Sequence, residues 1–189
     1  MLCSLRQIPN LISSVRIVLV VPIVWALMHH DLMATLVLFG AATISDGADG
    51  FLAKRYGWQS DLGALLDPVA DKILLVTVLV TLAWLKLVPA WLMAVAVARD
   101  MVIVLGAVCY RILRGPLQLR PTLISKINTL CQVLFILSVI ANERFARPPA
   151  WCVMVLGAIV FLTVVISGID YVLTYSRLAA LPASPLRPT

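Results

Sequence analysis

The 189-residue chain is 62% hydrophobic and only 13% charged, with a mean hydropathy of +1.03 and a formal net charge of +6. A soluble domain is about half apolar and about a quarter charged, so this composition excludes a water-soluble globule and makes the bilayer the natural solvent. The basic residues sit in short connections between apolar runs, which is the pattern of loops facing anionic lipid and gives no reason to expect nucleic acid.

In chain order, MLCSLRQIPN reads as a short interfacial segment with Pro9–Asn10 as a turn and Asn10 as a candidate helix cap. Spans are predicted at about residues 11–28, 32–55, 63–85, 90–113, 122–140 and 150–175. His29–His30–Asp31 is read as a solvated connection rather than a metal site, and Lys86 to Pro89 as a tight turn. Cys109, Cys131 and Cys152 lie in or beside apolar runs and, like Cys3, form no CxxC, so small-hydrophobe packing is their expected role. Residues 1–177 are expected to form one all-α polytopic membrane domain and residues 178–189 a disordered tail.

Orientation follows from charge. Arg6, Lys54, Arg55, Arg111, Arg114, Arg120, Arg177 and Arg187 fall at the termini and alternate connections, against Lys86, Arg144 and Arg147 in the others. That bias predicts six transmembrane helices with both termini in the cytoplasm, and Trp84, Trp91 and Trp151 at the opposite interface.

One stretch breaks the oil: DGADGFLAKRYGWQSDLGALLDPVAD, from Asp46 to Asp71. Its acids form two pairs, Asp46/Asp49 and Asp67/Asp71, spaced so that each pair shares a helix face. Asp46 and Asp49 precede the basic pair Lys54–Arg55 and so lie roughly 7 to 12 Å below the helix end. A short loop would make the two acid-bearing helices antiparallel neighbours and let the four acids converge in one cytoplasm-facing cavity. Four carboxylates cannot share such a site uncompensated, and two divalent cations, Mg²⁺ or Mn²⁺, would balance them with all-oxygen ligation. A two-metal carboxylate site serves phosphoryl transfer, with Gly50 and Gly63 giving close backbone approach and Lys54 meeting a phosphate. Two other readings stand beside it: intramembrane ion pairs with Arg16, Lys72 or Arg99, and a cation or proton path.

At these residues the chain resembles the CDP-alcohol phosphotransferases, whose signature D-x2-D-G-x2-A-R-x8-G-x3-D-x3-D falls on Asp46, Asp49, Gly50, Ala53, Lys54, Gly63, Asp67 and Asp71. Lys54 stands where that family usually has arginine, which keeps the charge but loses the bidentate fork. The resemblance implies a six-helix membrane fold, a homodimer, and metal binding by Asp46, Asp49, Asp67 and Asp71. It also implies Asp71 as general base and nucleotide contacts from Asp49, Gly50, Ala53, Lys54 and Gly63. Ala98 to Ile112 and Leu119 to Gln132 are similar to stretches of the CMP-forming, mitochondrial-type cardiolipin synthases. That branch implies transfer of a phosphatidyl group from CDP-diacylglycerol to phosphatidylglycerol with release of CMP. The alternative branch, phosphatidylglycerophosphate synthase, would use glycerol 3-phosphate. Arg99, Arg111, Arg120 and Lys126 are the candidates for holding the acceptor lipid's phosphodiester. A bacterial inner membrane, with the site facing the cytoplasm, is the expected location, ahead of a mitochondrial inner membrane.

Overall fold

An apolar chain in lipid must satisfy its backbone hydrogen bonds within each segment, and helices do so. In the computed structural model the backbone is described for residues 8–56, 63–114 and 123–180, and side chains for residues 15–45, 72–105 and 124–171. The described residues form six helices: α1 (Ile8–Met28), α2 (Leu32–Tyr56), α3 (Gly63–Trp84), α4 (Ala90–Arg114), α5 (Leu123–Phe145) and α6 (Ala150–Ala180). Among the described residues there is no strand. Among the described residues, two stretches, Ile124–Phe145 and Ala150–Tyr171, are long and apolar enough to cross a bilayer, and Val15–Met28, Leu32–Ser45 and Lys72–Trp84 are shorter apolar helical stretches.

Three tight turns fold the helices into hairpins. At the end of α1, Asp31 N–H donates to Ala26 O at 2.9 Å and His30 N–H to Leu27 O at 3.1 Å, with His30 left-handed at φ 58°. The end of α3 repeats the arrangement: Leu87 N–H donates to Leu82 O and Lys86 N–H to Ala83 O, each at 3.0 Å, with Lys86 at φ 59°. Both are Schellman closures, which satisfy carbonyls that the last helical turn would orphan. At the end of α5, Ala146 takes φ 53° and donates to Asn142 O at 2.8 Å, while Asn142 Nδ2 donates to Pro148 O at 2.6 Å. Asp31 does double duty: its Oδ1 accepts from Ala34 N–H at 3.1 Å, so it caps the start of α2. The neighbouring His29 is used locally too, its Nδ1–H donating to Trp25 O at 2.8 Å.

The structure moves three sequence-derived boundaries. Helix α1 begins at Ile8, so Pro9 occupies the first turn, where its missing N–H costs nothing, and Asn10 is helical rather than a cap. Helix α5 runs on to Phe145, past the expected end near residue 140. Helix α6 runs to Ala180, into the segment expected to be a disordered tail, because Leu178, Ala179 and Ala180 are strong helix formers. Residues 181–189 lie outside the described residues.

The core is a layer of apolar side chains shared by all six helices, with Ile23, Leu27, Phe39, Val78, Leu82, Ile136 and Ile140 at its centre. Helix α1 packs against both α2 and α3, α5 against α2 and α6, and α4 chiefly against α6. Among the described residues, α2 and α3 have no extended direct interface; they are held together through α1 and α5. This corrects the expectation that the two acid-bearing helices pack as direct neighbours. The long first span packs against both of them, and α2 and α3 do not pack on each other along their described lengths. Outward-facing positions are apolar, as in Val18, Val21, Ile44 and Met154, and Trp84, Trp91 and Trp151 stand exposed at helix ends remote from the acids. That surface suits hydrocarbon with an aromatic belt at its rim.

Candidate active site

Helix register relates the acid pairs to the buried stripes of their helices. On α2, Leu32, Thr35, Phe39 and Ala42 form one buried stripe at alternating three- and four-residue steps. Continuing the same steps reaches positions 46, 49 and 53, which are Asp46, Asp49 and Ala53. On α3 the buried stripe is Leu82, Val78 and Leu74, and stepping back along it reaches Asp71, Asp67 and Gly63. Both acid pairs therefore occupy the core-facing register of their helices, at the ends joined by residues 57–62. Gly50 and Lys54 also lie within α2. The side chains of all eight signature residues, and so their mutual distances, lie outside the described residues.

Arg16 is buried on α1, on the stripe that continues through Ile23 and Leu27. Reflected through the α1–α2 turn at His30, its position falls beside Ile44, between Ala42 and Asp46 on the acid-bearing helix. Arg16 thus lies on a helix that packs against both α2 and α3, and a buried cation requires compensation by nearby charge or hydrogen-bond acceptors.

Directly after Asp71 comes a described polar network. Lys72 Nζ donates to Asp100 Oδ1 at 2.8 Å, and the same oxygen accepts from Arg99 Nη1 at 2.7 Å. Arg99 Nη2 donates to Ser125 Oγ on α5 at 3.0 Å and to Ser167 Oγ on α6. The guanidinium also sits over the Tyr171 ring, 5.8 Å from its centroid. One carboxylate and one guanidinium thus tie α3, α4, α5 and α6 together at the level of Lys72. Arg99 and Asp100 are both 5% exposed, so the network is dry on these two side chains. Gln132 on α5 and Asp100 border a cavity of about 10 Å³, room for a single water, and Gln132 Nε2 is buried without a partner.

The acceptor candidates separate. Arg99 is committed to Asp100, Ser125 and Ser167, with Nε alone buried and unpartnered. Lys126 is exposed on α5. Arg111 lies in α4 with its side chain outside the described residues, and Arg120 lies outside them altogether. Lys72–Asp100 is the contact that the linear sequence hides. Hairpin symmetry is the signal that finds it, because the two residues are equidistant from Lys86 at the α3–α4 turn. Asn128 is likewise fully buried, its Oδ1 3.0 Å from Thr163 Oγ1 across the α5–α6 hairpin.

The donor set fits hard divalent cations. Every candidate ligand is a carboxylate, each pair sits on core-facing register, and the described neighbouring cations Lys72 and Arg99 are already taken by Asp100.

The family model for CDP-alcohol phosphatidyltransferase matches residues 6–182. The chain is 31% identical over 180 residues to a human protein named "Cardiolipin synthase (CMP-forming)" and 30% identical over 180 residues to the rat protein of the same name. Each match covers 87% of this chain and 60% of the relative, so the chain spans less than two thirds of their length. It is also 31% identical over 177 residues to a Mycobacterium tuberculosis protein named "Probable phosphatidylglycerophosphate synthase", covering 89% of this chain and 81% of that one.

Proposed function

The chain belongs to the CDP-alcohol phosphatidyltransferase family, and from that premise we propose that it transfers a phosphatidyl group from CDP-diacylglycerol to phosphatidylglycerol, forming cardiolipin and CMP. The observation that carries the reading is the run of two buried helix stripes into Asp46/Asp49 and Asp67/Asp71. Acids at such positions are costly in lipid unless cations compensate them, and a pyrophosphate donor brings cations with it.

In this reading the donor's acyl chains stay in lipid, and its nucleotide lies along Asp49, Gly50, Ala53 and Gly63, where missing or small side chains allow close approach. Asp46, Asp49, Asp67 and Asp71 would hold two divalent ions, Mg²⁺ or Mn²⁺. Those ions, when bound, neutralise the pyrophosphate and polarise the phosphorus under attack. Asp71 takes the proton of the acceptor's primary hydroxyl. The hydroxyl oxygen forms its bond to the diacylglycerol-bearing phosphorus, the bond from that phosphorus to the bridging oxygen breaks, and CMP leaves with the electron pair. Lys54 meets the phosphate that departs. Six bilayer crossings with both termini in the cytoplasm, and assembly as a homodimer, complete the proposal; the Lys/Arg bias and the exposed Trp84, Trp91 and Trp151 support that orientation.

A second reading, phosphatidylglycerophosphate synthase, is favoured by the mycobacterial relative, which the chain covers over 81% of its length. One assay separates the two. Purified protein with Mg²⁺ or Mn²⁺ is given CDP-diacylglycerol and either phosphatidylglycerol or glycerol 3-phosphate. Cardiolipin and CMP from the first acceptor are expected. Product from glycerol 3-phosphate alone moves the chain to the second branch, and no CMP with either acceptor, together with ion flux in liposomes, would point to a transporter.

A further inference from the structure

We propose that Asp100 is a positioning residue of the metal site, acting through Lys72: it holds the Lys72 ammonium on the α4 side of α3, away from the carboxylates that begin one residue earlier at Asp71. The inference rests on the reading of Asp46, Asp49, Asp67 and Asp71 as metal ligands.

Lys72 poses a problem that its sequence position creates. An ammonium on a flexible four-carbon stem stands next to an acid cluster that must keep its negative charge for divalent cations. Left unpaired in a low-dielectric interior, it would turn to those carboxylates and compete with the metal. The structure gives it another partner. Asp100 Oδ1 lies 2.8 Å from Lys72 Nζ, and the Asp100 side chain is only 6% exposed. Register agrees, because Lys72 is rotated about 100° around the α3 axis from Asp71 and shares its face with Val76 and Leu79, which line the Asp100 cavity.

Asp100 is itself held. Arg99 Nη1 donates to the same oxygen, and Arg99 is anchored through Nη2 to Ser125 and Ser167. Helix α3 packs broadly on α1 but only narrowly on α4 and α5. Among the described residues, the Lys72–Asp100 pair is therefore a polar tie between the acid-bearing helix and the α4–α6 half of the bundle. Lys72, Arg99 and Asp100 together carry one net positive charge, so removing Asp100 leaves two cations with none of their carboxylate.

The test is direct Mn²⁺ binding, followed by electron paramagnetic resonance of free Mn²⁺ on the full chain in detergent, alongside CMP release. Asp100→Asn should weaken Mn²⁺ binding by about 10-fold, a modest share of what one freed ammonium exerts on a carboxylate site a few ångströms away. Lys72→Met/Asp100→Asn, which removes the freed ammonium, should return Mn²⁺ affinity to within about twofold of wild type, the coupling expected of two residues in contact. Lys72→Met alone should bind Mn²⁺ as wild type does, because Asp100 already neutralises that charge. Wild-type affinity in Asp100→Asn, or a double variant as weak as Asp100→Asn, overturns the proposal. If Asp100→Asn does not yield folded protein, Lys72→Met decides: unchanged affinity supports the proposal, and tighter Mn²⁺ binding shows that the Lys72 charge reaches the acids in the native protein and overturns it. A wild type that binds no Mn²⁺ and releases no CMP removes the parent reading instead.

Discussion

Lys72 and Asp100 meet at 2.8 Å across the α3–α4 hairpin, at equal sequence distance on either side of Lys86, the left-handed residue that closes the turn. Asn128 and Thr163 meet in the same way across the α5–α6 hairpin, around the turn at Phe145–Ala146. In both hairpins a non-glycine residue in the left-handed region fixes the turn, and the turn fixes which polar groups can reach each other many residues away. The register of buried polar pairs is thus decided at the end of the bundle remote from the acids.

Asp71→Asn removes the proposed proton acceptor while keeping the side chain's size. CMP release should fall by about 10² to 10⁴-fold, the usual contribution of general base catalysis. Thermal unfolding in detergent should be unchanged or slightly raised, since in the proposed site one of four like-charged acids is neutralised. Retained turnover in Asp71→Asn would remove its assignment as base.

In the proposed function Lys54, a lysine where the family signature has arginine, contacts the departing phosphate. Lys54→Arg should keep turnover or raise it, because a guanidinium adds a second donor to the same charge. Lys54→Ala should lower kcat/KM for CDP-diacylglycerol without changing the metal concentration needed for half-maximal rate. A shift in metal requirement instead would show Lys54 serving the carboxylates rather than the nucleotide.

Arg16 is 4% exposed on α1, a helix that packs against both acid-bearing helices. Arg16→Met leaves its neighbours with a different charge balance and should lower CMP release more than Arg16→Lys does, measured at saturating metal. Equal activity in Arg16→Met and wild type would make this arginine a packing residue alone.

The helices were legible because each apolar run ends at a charge, a proline or a histidine pair, and the acid pairs because their spacing matches a helical face. Two kinds of feature were not. Asp31 as the cap of α2 was hidden inside a connection read only as polar, although an Asp ahead of an apolar run is itself a start signal. The pairing of Lys72 with Asp100 depends on a hairpin register that linear spacing does not state. The packing of α1 against both α2 and α3 is a tertiary fact, and a short loop between consecutive helices does not state whether they pack along their lengths.

Two glycines test the packing independently of any chemistry. A Cβ at Gly157 on α6 would lie 3.2 Å from Phe135 Cε2 and 3.7 Å from Leu92 Cδ2, where α6 meets α5 and α4. Phe135 is 3% exposed and Leu92 equally so, so neither can swing outward to make room. Gly157→Ala should therefore destabilise the protein by about 1 to 3 kcal/mol, the usual cost of overpacking a dense interior. A Cβ at Gly40 on α2 would meet nothing within 4 Å. There the only change is relief of glycine's extra conformational entropy, worth about 0.5 to 1 kcal/mol in a helix, so Gly40→Ala should be neutral or stabilising. Thermal unfolding of the two variants in the same detergent should separate them on opposite sides of wild type. If Gly157→Ala were the more stable of the two, the close approach of α6 to Phe135 would be wrong, and with it the α5–α6 register that brings Thr163 to Asn128.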